Sequence, residues 1–171
     1  MIELKEAVSS VNPPETNFGF YYFSHMIPPV KPSHMLMLGY GEGVVAELTR
    51  KIWGQVKITA VDSAYQATGY AEFDRLDMDA REFLVENARP GLIPYRYDYI
   101  AVDLWEGGNV CEFIYDSNFV KSLKAASRGL VCVNIPQTDF GKMQAYYVLG
   151  FKYERHAIVE GNMVIWWSVQ E

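Results

Sequence analysis

The sequence predicts a doubly wound α/β domain with a seven-stranded mixed sheet, closed by a C-terminal antiparallel hairpin. Three observations carry that prediction. Short apolar runs without polar alternation recur at His34–Leu38, Lys57–Val61, Tyr97–Val102 and Leu130–Ile135, as expected of parallel strands buried on both faces. Segments with helical spacing separate them, the order of a parallel α/β sheet. Two further runs, 151–159 and 163–169, flank Gly161-Asn162, which reads as a hairpin turn. The 171 residues suffice for one domain with a substantial core.

The elements follow in order. Residues 1–33 read as a lead-in that contains Pro13-Pro14 and a short aromatic helix over 18–27, stopped by Pro28, Pro29 and Pro32. The domain proper spans 34–171. After the first strand, His34–Leu38, apolar residues at 44, 45, 48, 52 and 53 give a helix from Gly43 to Trp53, with Gly54 as its stop. The second strand is Lys57–Val61. A short helix over 65–73 and a brief third strand over 75–78 come next. Asp79 then opens a helix that ends before Pro90-Gly91. Strand four is Tyr97–Val102, a helix covers Ser117–Ser127, and strand five is Leu130–Ile135. Residues 140–149 read as helical, and the two closing strands supply antiparallel character.

Bulk composition excludes several classes. A net charge of −6 with no basic block disfavours nonspecific nucleic-acid binding, although a local basic patch remains compatible with it. No apolar segment approaches the length of a membrane span or a signal sequence, so the expectation is a cytoplasmic protein by default. Cys111 and Cys132 lie too far apart for a metal knuckle or redox pair. His25, His34 and His156 show no metal-ligand spacing. No metal is expected.

The chemistry concentrates at the strand ends. Met35-Leu36-Met37-Leu38 runs straight into Gly39-Tyr40-Gly41-Glu42-Gly43, and Asp62, Asp79 and Asp103 stand at or just past the ends of later strands. Glycines let the backbone approach a ligand closely, and a strand-tip acid can hold ribose hydroxyls. Open α/β sheets bind ligands at this edge. Asp62 has the spacing of a ribose contact, Asp79 suits either a base contact or a helix cap, and Asp103 would face the pocket beside Gly39. The turn lacks the Gly-x-Gly-x-x-Gly spacing of a dinucleotide site, because position 44 is Val. The aromatic run Phe18–Phe23 reads as packing under the sheet or as a lid over a bound group. Asn134, at the end of strand five, reads as a turn or pocket residue.

These motifs resemble the class I S-adenosylmethionine-dependent transferases, in particular the spermidine synthase-like branch. The matching segments are Gly39–Gly43, Asp79-Ala80-Arg81-Glu82-Phe83-Leu84, Tyr97–Leu104, Ser117–Phe119 and Gly129–Asn134, spread over roughly residues 20–170. The resemblance implies a Rossmann-like fold and S-adenosylmethionine, or its decarboxylated form, as cofactor. It assigns cofactor contacts to Gly39, Tyr40, Gly41, Glu42, Gly43, Asp62, Ser63, Asp79, Ala80, Asp103 and Leu104, with Asp103 also the catalytic residue that orients or deprotonates an attacking amine.

Two departures bear on the acceptor. That branch carries an N-terminal β-domain, whereas only residues 1–33 precede the first strand here. It also continues the strand-four acid as Asp-Ser-x-Asp-Pro, where this chain has Asp103-Leu104-Trp105-Glu106-Gly107-Gly108. Glu106 falls at the second acid, and the proline is absent. Glu42 leans toward decarboxylated donor and aminopropyl transfer, and the short lead-in leans against it. The expected function is a methyltransferase, with a minimal aminopropyltransferase and a non-catalytic adenosyl-binding subunit as the alternatives. The expected partner is an unidentified small-molecule acceptor, and a homo-oligomer is left open.

Overall fold

A central parallel sheet with one antiparallel flank organises the molecule. The computed structural model describes residues 20–63, 74–87 and 96–169. Its strands are β1 (His34–Leu38), β2 (Lys57–Val61), β3 (Asp74–Leu76), β4 (Tyr97–Val102), β7 (Ser127–Pro136), β8 (Phe151–Val159) and β9 (Asn162–Val169), with a separate small hairpin of β5 (Trp105–Glu106) and β6 (Asn109–Val110). The seven strands are ordered β3-β2-β1-β4-β7-β9-β8. The first five are parallel, and β9 runs antiparallel to both β7 and β8.

Alternation along β1 explains the layers. Leu36 and Leu38 join the core on one face with Leu84, Ile100, Val133 and Trp167, under helices α3 (Ala80–Asn87), α4 (Ser117–Ala126) and α5 (Gln144–Val148). Met35 and Met37 join the opposite core with Ile58, Tyr99, Cys132 and Trp166, under α1 (Phe20–His25) and α2 (Val44–Trp53). All five β1 residues are buried, as a two-sided strand requires. The chain winds outward from β1 in one direction and from β4 in the other. The switch point therefore lies between β1 and β4, where such sheets open a crevice at their carboxyl ends.

Several boundaries differ from the sequence reading. The closing turn is Glu160-Gly161, with φ of 49° and 86°, not Gly161-Asn162. Asn162 pairs with Val159 instead, and positive φ at both central positions is the mark of a type I′ turn. β7 begins at Ser127, three residues earlier than expected, and α4 stops at Ala126. Gly129 makes this possible: a Cβ there would sit 2.2 Å from the Asp98 carbonyl oxygen, where the β4–β7 register shifts.

The third strand is Asp74–Leu76 rather than 75–78. The helix expected over 140–149 is a 3₁₀ turn, Gln137–Lys142, followed by α5, with Met143 buried between them. The β5–β6 hairpin was not foreseen. Its two-residue strands are too short to show a pattern, but Gly107 and Gly108 take φ of 57° and 81°, the turn that Gly-Gly favours. The helix expected over 65–73 and most of the lead-in lie outside the described residues. Among the described residues, no helix is long and apolar enough to cross a membrane.

Candidate functional site

The glycine turn is fixed by its neighbours on both sides. Gly39 donates its N–H to Val61 at 2.8 Å, and Asp103 donates to Leu38 at 2.8 Å, so β2 and β4 clasp the tip of β1. Gly39 has φ +84°, and a Cβ on it would lie 2.0 Å from the Asp103 carbonyl oxygen. No other residue fits there. Gly43, at φ +80°, leaves room for the Tyr40 ring, whose hydroxyl would be 2.3 Å from a Cβ. Tyr40 is thereby folded under the turn with Arg75 over its ring, and its side chain is buried.

Asp62 has a task that the sequence did not reveal. Its Oδ2 accepts hydrogen bonds from the backbone N–H groups of Tyr40 and Gly41, at 2.8 and 3.0 Å. The acid at the tip of β2 thus braces the turn from below. Bonds of this charge-assisted kind are about twice as strong as neutral ones.

Asp79 stands just before α3. Its Oδ1 accepts from the Arg81 N–H at 2.7 Å, and the Arg81 guanidinium grips both carboxylate oxygens at 2.9 and 2.7 Å. Of its two sequence readings, the helix cap is the one realised in these contacts, although Asp79 and Ala80 also line the cleft. Hydrogen bonding from Arg81 holds the Asp79 carboxyl below its usual range.

Asp103 sits at the tip of β4, half-buried. Its Oδ2 accepts from the Tyr22 hydroxyl at 3.1 Å and its Oδ1 from the Asn134 amide at 2.9 Å. Burial pushes its carboxyl above the usual range, against the opposing pull of Asn134, Tyr22 and the nearby Trp105 indole. Trp105 Nε1 falls short of a hydrogen bond by geometry. The contact of Tyr22 with Asp103 was not legible in the sequence. Its run reads equally as packing, and only the docking of α1 brings its hydroxyl to a carboxylate 81 residues away.

Together these residues line a cleft of about 690 Å³. Gly39, Tyr40, Gly41, Glu42, Asp62, Ser63, Asp79, Ala80, Asp103 and Leu104 all border it, so ten of the eleven expected contact residues converge, and Gly43 shapes the turn just behind them. Trp105, Glu106, Asn109 and Val110 of the hairpin form the far wall with Cys111, Glu112 and Phe113. Among the described residues, six that carry carboxylates line the space, Glu42, Asp62, Asp79, Asp103, Glu106 and Glu112, with one guanidinium, that of Arg81, and Lys142 pairs with Glu112. Arg81 is paired with Asp79 and covers the Phe113 ring at 4.5 Å. Among the described residues, no cluster is arranged to hold a metal. His34 hydrogen-bonds Thr59 in the core, and His156 bonds Tyr153 on the surface. A separate groove of about 490 Å³ is lined by Arg96, Lys121, Lys124 and Arg128 over Ala125, Leu149 and Val169.

Comparison with solved structures gives this architecture its name. Human methyltransferase-like protein 13 in complex with S-adenosylhomocysteine superposes with a TM-score of 0.67 at 19% identity, over 81% of this chain and 72% of that one. The chain has the Rossmann-like methyltransferase fold. The ribosomal protein L11 methylase of Lactobacillus delbrueckii subsp. bulgaricus matches with a TM-score of 0.63 at 17% identity, over 84% of this chain and 72% of that one. A probable spermidine synthase from Corynebacterium glutamicum matches with a TM-score of 0.59 at 15% identity, over 79% of this chain and 55% of that one. No family model matches the sequence, and no curated protein does.

Proposed function

We propose that the protein is an S-adenosylmethionine-dependent methyltransferase acting on a small acceptor. The observation that carries this reading is the charge of the cleft beside the glycine turn. A nucleotide phosphate is held best where free positive groups surround it. Among the described residues, six carboxylate-bearing side chains border the cleft with a single arginine, which is already paired with Asp79. Such a cleft favours a cation over a phosphate, and a sulfonium joined to an adenosyl group suits it.

The residues fit that cofactor. The turn at Gly39–Gly43 permits close backbone approach, and Asp62, Ser63, Asp79, Ala80 and Leu104 border the same space. When bound, S-adenosylmethionine supplies an activated methyl carbon for in-line displacement, in which the electrons of the breaking S–C bond stay on sulfur. Carboxylates near a cation bind the ground state well but lose that interaction as its charge vanishes. Glu42 and Asp62 therefore serve affinity more than rate. Asp103 serves as the base. Its carboxyl, raised by burial, accepts the proton that the acceptor loses as its lone pair bonds to carbon. Tyr22 and Phe23 of α1 line one side of the cleft and keep water from the reacting centre.

Aminopropyl transfer is the second reading. It is favoured by Glu42 in the cleft, which suits the amine of the decarboxylated donor, and by the likeness to the spermidine synthase. Calorimetric titration with S-adenosylmethionine, its decarboxylated form, S-adenosylhomocysteine and methylthioadenosine separates the two. Tighter binding of S-adenosylhomocysteine supports methyl transfer, and tighter binding of methylthioadenosine supports aminopropyl transfer. Failure of all four to bind removes the cofactor assignment. Binding without turnover of any acceptor identifies a non-catalytic subunit.

A further inference from the structure

Asn134 is out of place for a core residue. It lies on β7 two residues from Cys132, on the sheet face where Ala101, Val164 and Trp166 form an apolar cluster. It is 1% exposed. Its Nδ2 donates to Asp103, but its Oδ1 is buried with no hydrogen-bond partner. A buried amide with half its bonding unmet weakens a fold, and an apolar side chain of the same shape would not. Packing therefore does not account for asparagine at this position, and a polar role does.

Asp103 receives a second donor from the opposite side. Tyr22 projects from α1, across the cleft edge, and reaches the other carboxylate oxygen. Burial together with the Asp103 charge raises the Tyr22 hydroxyl well above its ordinary range, so it remains a donor at all ordinary pH values. Each carboxylate oxygen can accept more than one hydrogen bond. Both oxygens are thus oriented, and each keeps capacity for a ligand.

We infer that Asn134 and Tyr22 are positioning residues, which fix the two oxygens of Asp103 from the sheet and from α1, and that asparagine occupies its core site for this purpose at the expense of packing. The inference rests for its functional meaning on Asp103 as the proton acceptor. The other ionisable groups acting on Asp103 are Asp62 at the tip of β2 and Cys132 on β7. The Trp105 indole N–H of β5 lies close by without completing a hydrogen bond. Asn134 and Tyr22 oppose the burial that drives Asp103 toward its protonated form. Without them the balance at Asp103 shifts further toward the protonated form, which cannot accept a proton.

The test follows Asp103 by its side-chain carboxyl carbon resonance in a pH titration of the full chain, in wild type, Asn134→Leu and Tyr22→Phe. Loss of a donor to the charged form is expected to raise the proton affinity of Asp103 about tenfold in Asn134→Leu. A smaller rise is expected in Tyr22→Phe, whose bond is longer. Thermal unfolding of Asn134→Leu is expected at or above the wild-type temperature at a pH low enough to protonate Asp103, where the carboxylate no longer needs the donor. Unchanged Asp103 titration in both variants overturns the inference, as does a lower unfolding temperature in Asn134→Leu with its titration unmoved. If Asn134→Leu does not fold, Tyr22→Phe decides alone, because Tyr22 is only half-buried. This titration needs no cofactor. Absence of binding in the four-ligand experiment would remove the methyltransferase reading and leave the positioning result standing.

Discussion

The two walls of the cleft are held in different ways. The wall of Gly39–Gly43 and Asp62 is stitched into the sheet through backbone groups: Gly39 to Val61, Asp103 to Leu38, and Tyr40 and Gly41 to the Asp62 carboxylate. The wall of Trp105–Phe113 is a two-stranded hairpin and a 3₁₀ turn. Its links to the rest of the fold include the side-chain contacts of Arg81 with Phe113, Lys142 with Glu112, and Tyr115 with Asp139. The first wall leaves almost no freedom of sequence. The second is anchored in the core by Val110 and Ile114, and its exposed side chains, such as Glu106 and Glu112, can be exchanged without disturbing the sheet. A cofactor site and an acceptor site place those different demands on a protein, since one meets a constant ligand and the other a ligand that varies between enzymes.

The largest effect should come from breaking the first wall. Gly39→Ala brings a Cβ into the Asp103 carbonyl at a backbone angle suited to glycine. It is expected to destabilise the protein by about 3 kcal/mol or more in denaturant unfolding, through combined overpacking and left-handed strain. Next, Asp62→Ala removes the brace beneath the turn. We expect it to weaken S-adenosylhomocysteine binding by about 1–3 kcal/mol in calorimetry, with faster hydrogen exchange at the Tyr40 and Gly41 amides. Unchanged exchange at those amides would show that the turn holds itself.

The two flanking acids should give opposite pH dependences. The Asp79 carboxyl is held low by Arg81. Its contribution is present above the unfolded carboxylate range and is lost as pH falls through its lowered value. The Asp103 carboxyl is raised by burial. Its contribution is greatest below the unfolded range and is lost as pH rises through its raised value. Thermal unfolding across pH should therefore show a shallower acid-side fall in Asp79→Asn, with Asp98, held low by Arg128, supplying a further part of it, and a smaller loss just above the unfolded carboxylate range in Asp103→Asn. Equal curves for the two variants would contradict these assignments. The smallest effect belongs to the second wall. Lys142→Ala removes exposed pairs with Glu112 and Asp139. It should cost about 0.5 kcal/mol or less of stability and leave cofactor affinity unchanged, a combination that unfolding and calorimetry measure together.

The same division explains what the sequence could tell. Periodicity exposed the buried strands, and glycines and acids at strand ends exposed the first wall, because backbone constraints write themselves into residue type. Asp62 bracing the turn was not legible: an acid that holds ribose and an acid that holds a loop look alike in sequence. For Tyr22 the sequence left packing and a lid side by side, and for Asn134 a turn and a pocket role, because the choice depends on a partner far along the chain. The β5–β6 hairpin left only Gly107-Gly108 as a trace, too short to set a pattern. Glu160 in the final turn was hidden because nothing in its residue type marks a positive φ.

The central claim is that the acidic cleft at the carboxyl edge of the sheet holds an adenosyl sulfonium. Amide chemical-shift mapping with S-adenosylmethionine, which carries the sulfonium, tests it most directly. The account predicts shifts concentrated at Tyr40–Gly43, Asp62, Ser63, Ala80, Asp103 and Leu104, and none around Lys121 and Lys124 in the basic groove. Saturable shifts around that groove instead, or no shifts at millimolar ligand, would contradict it.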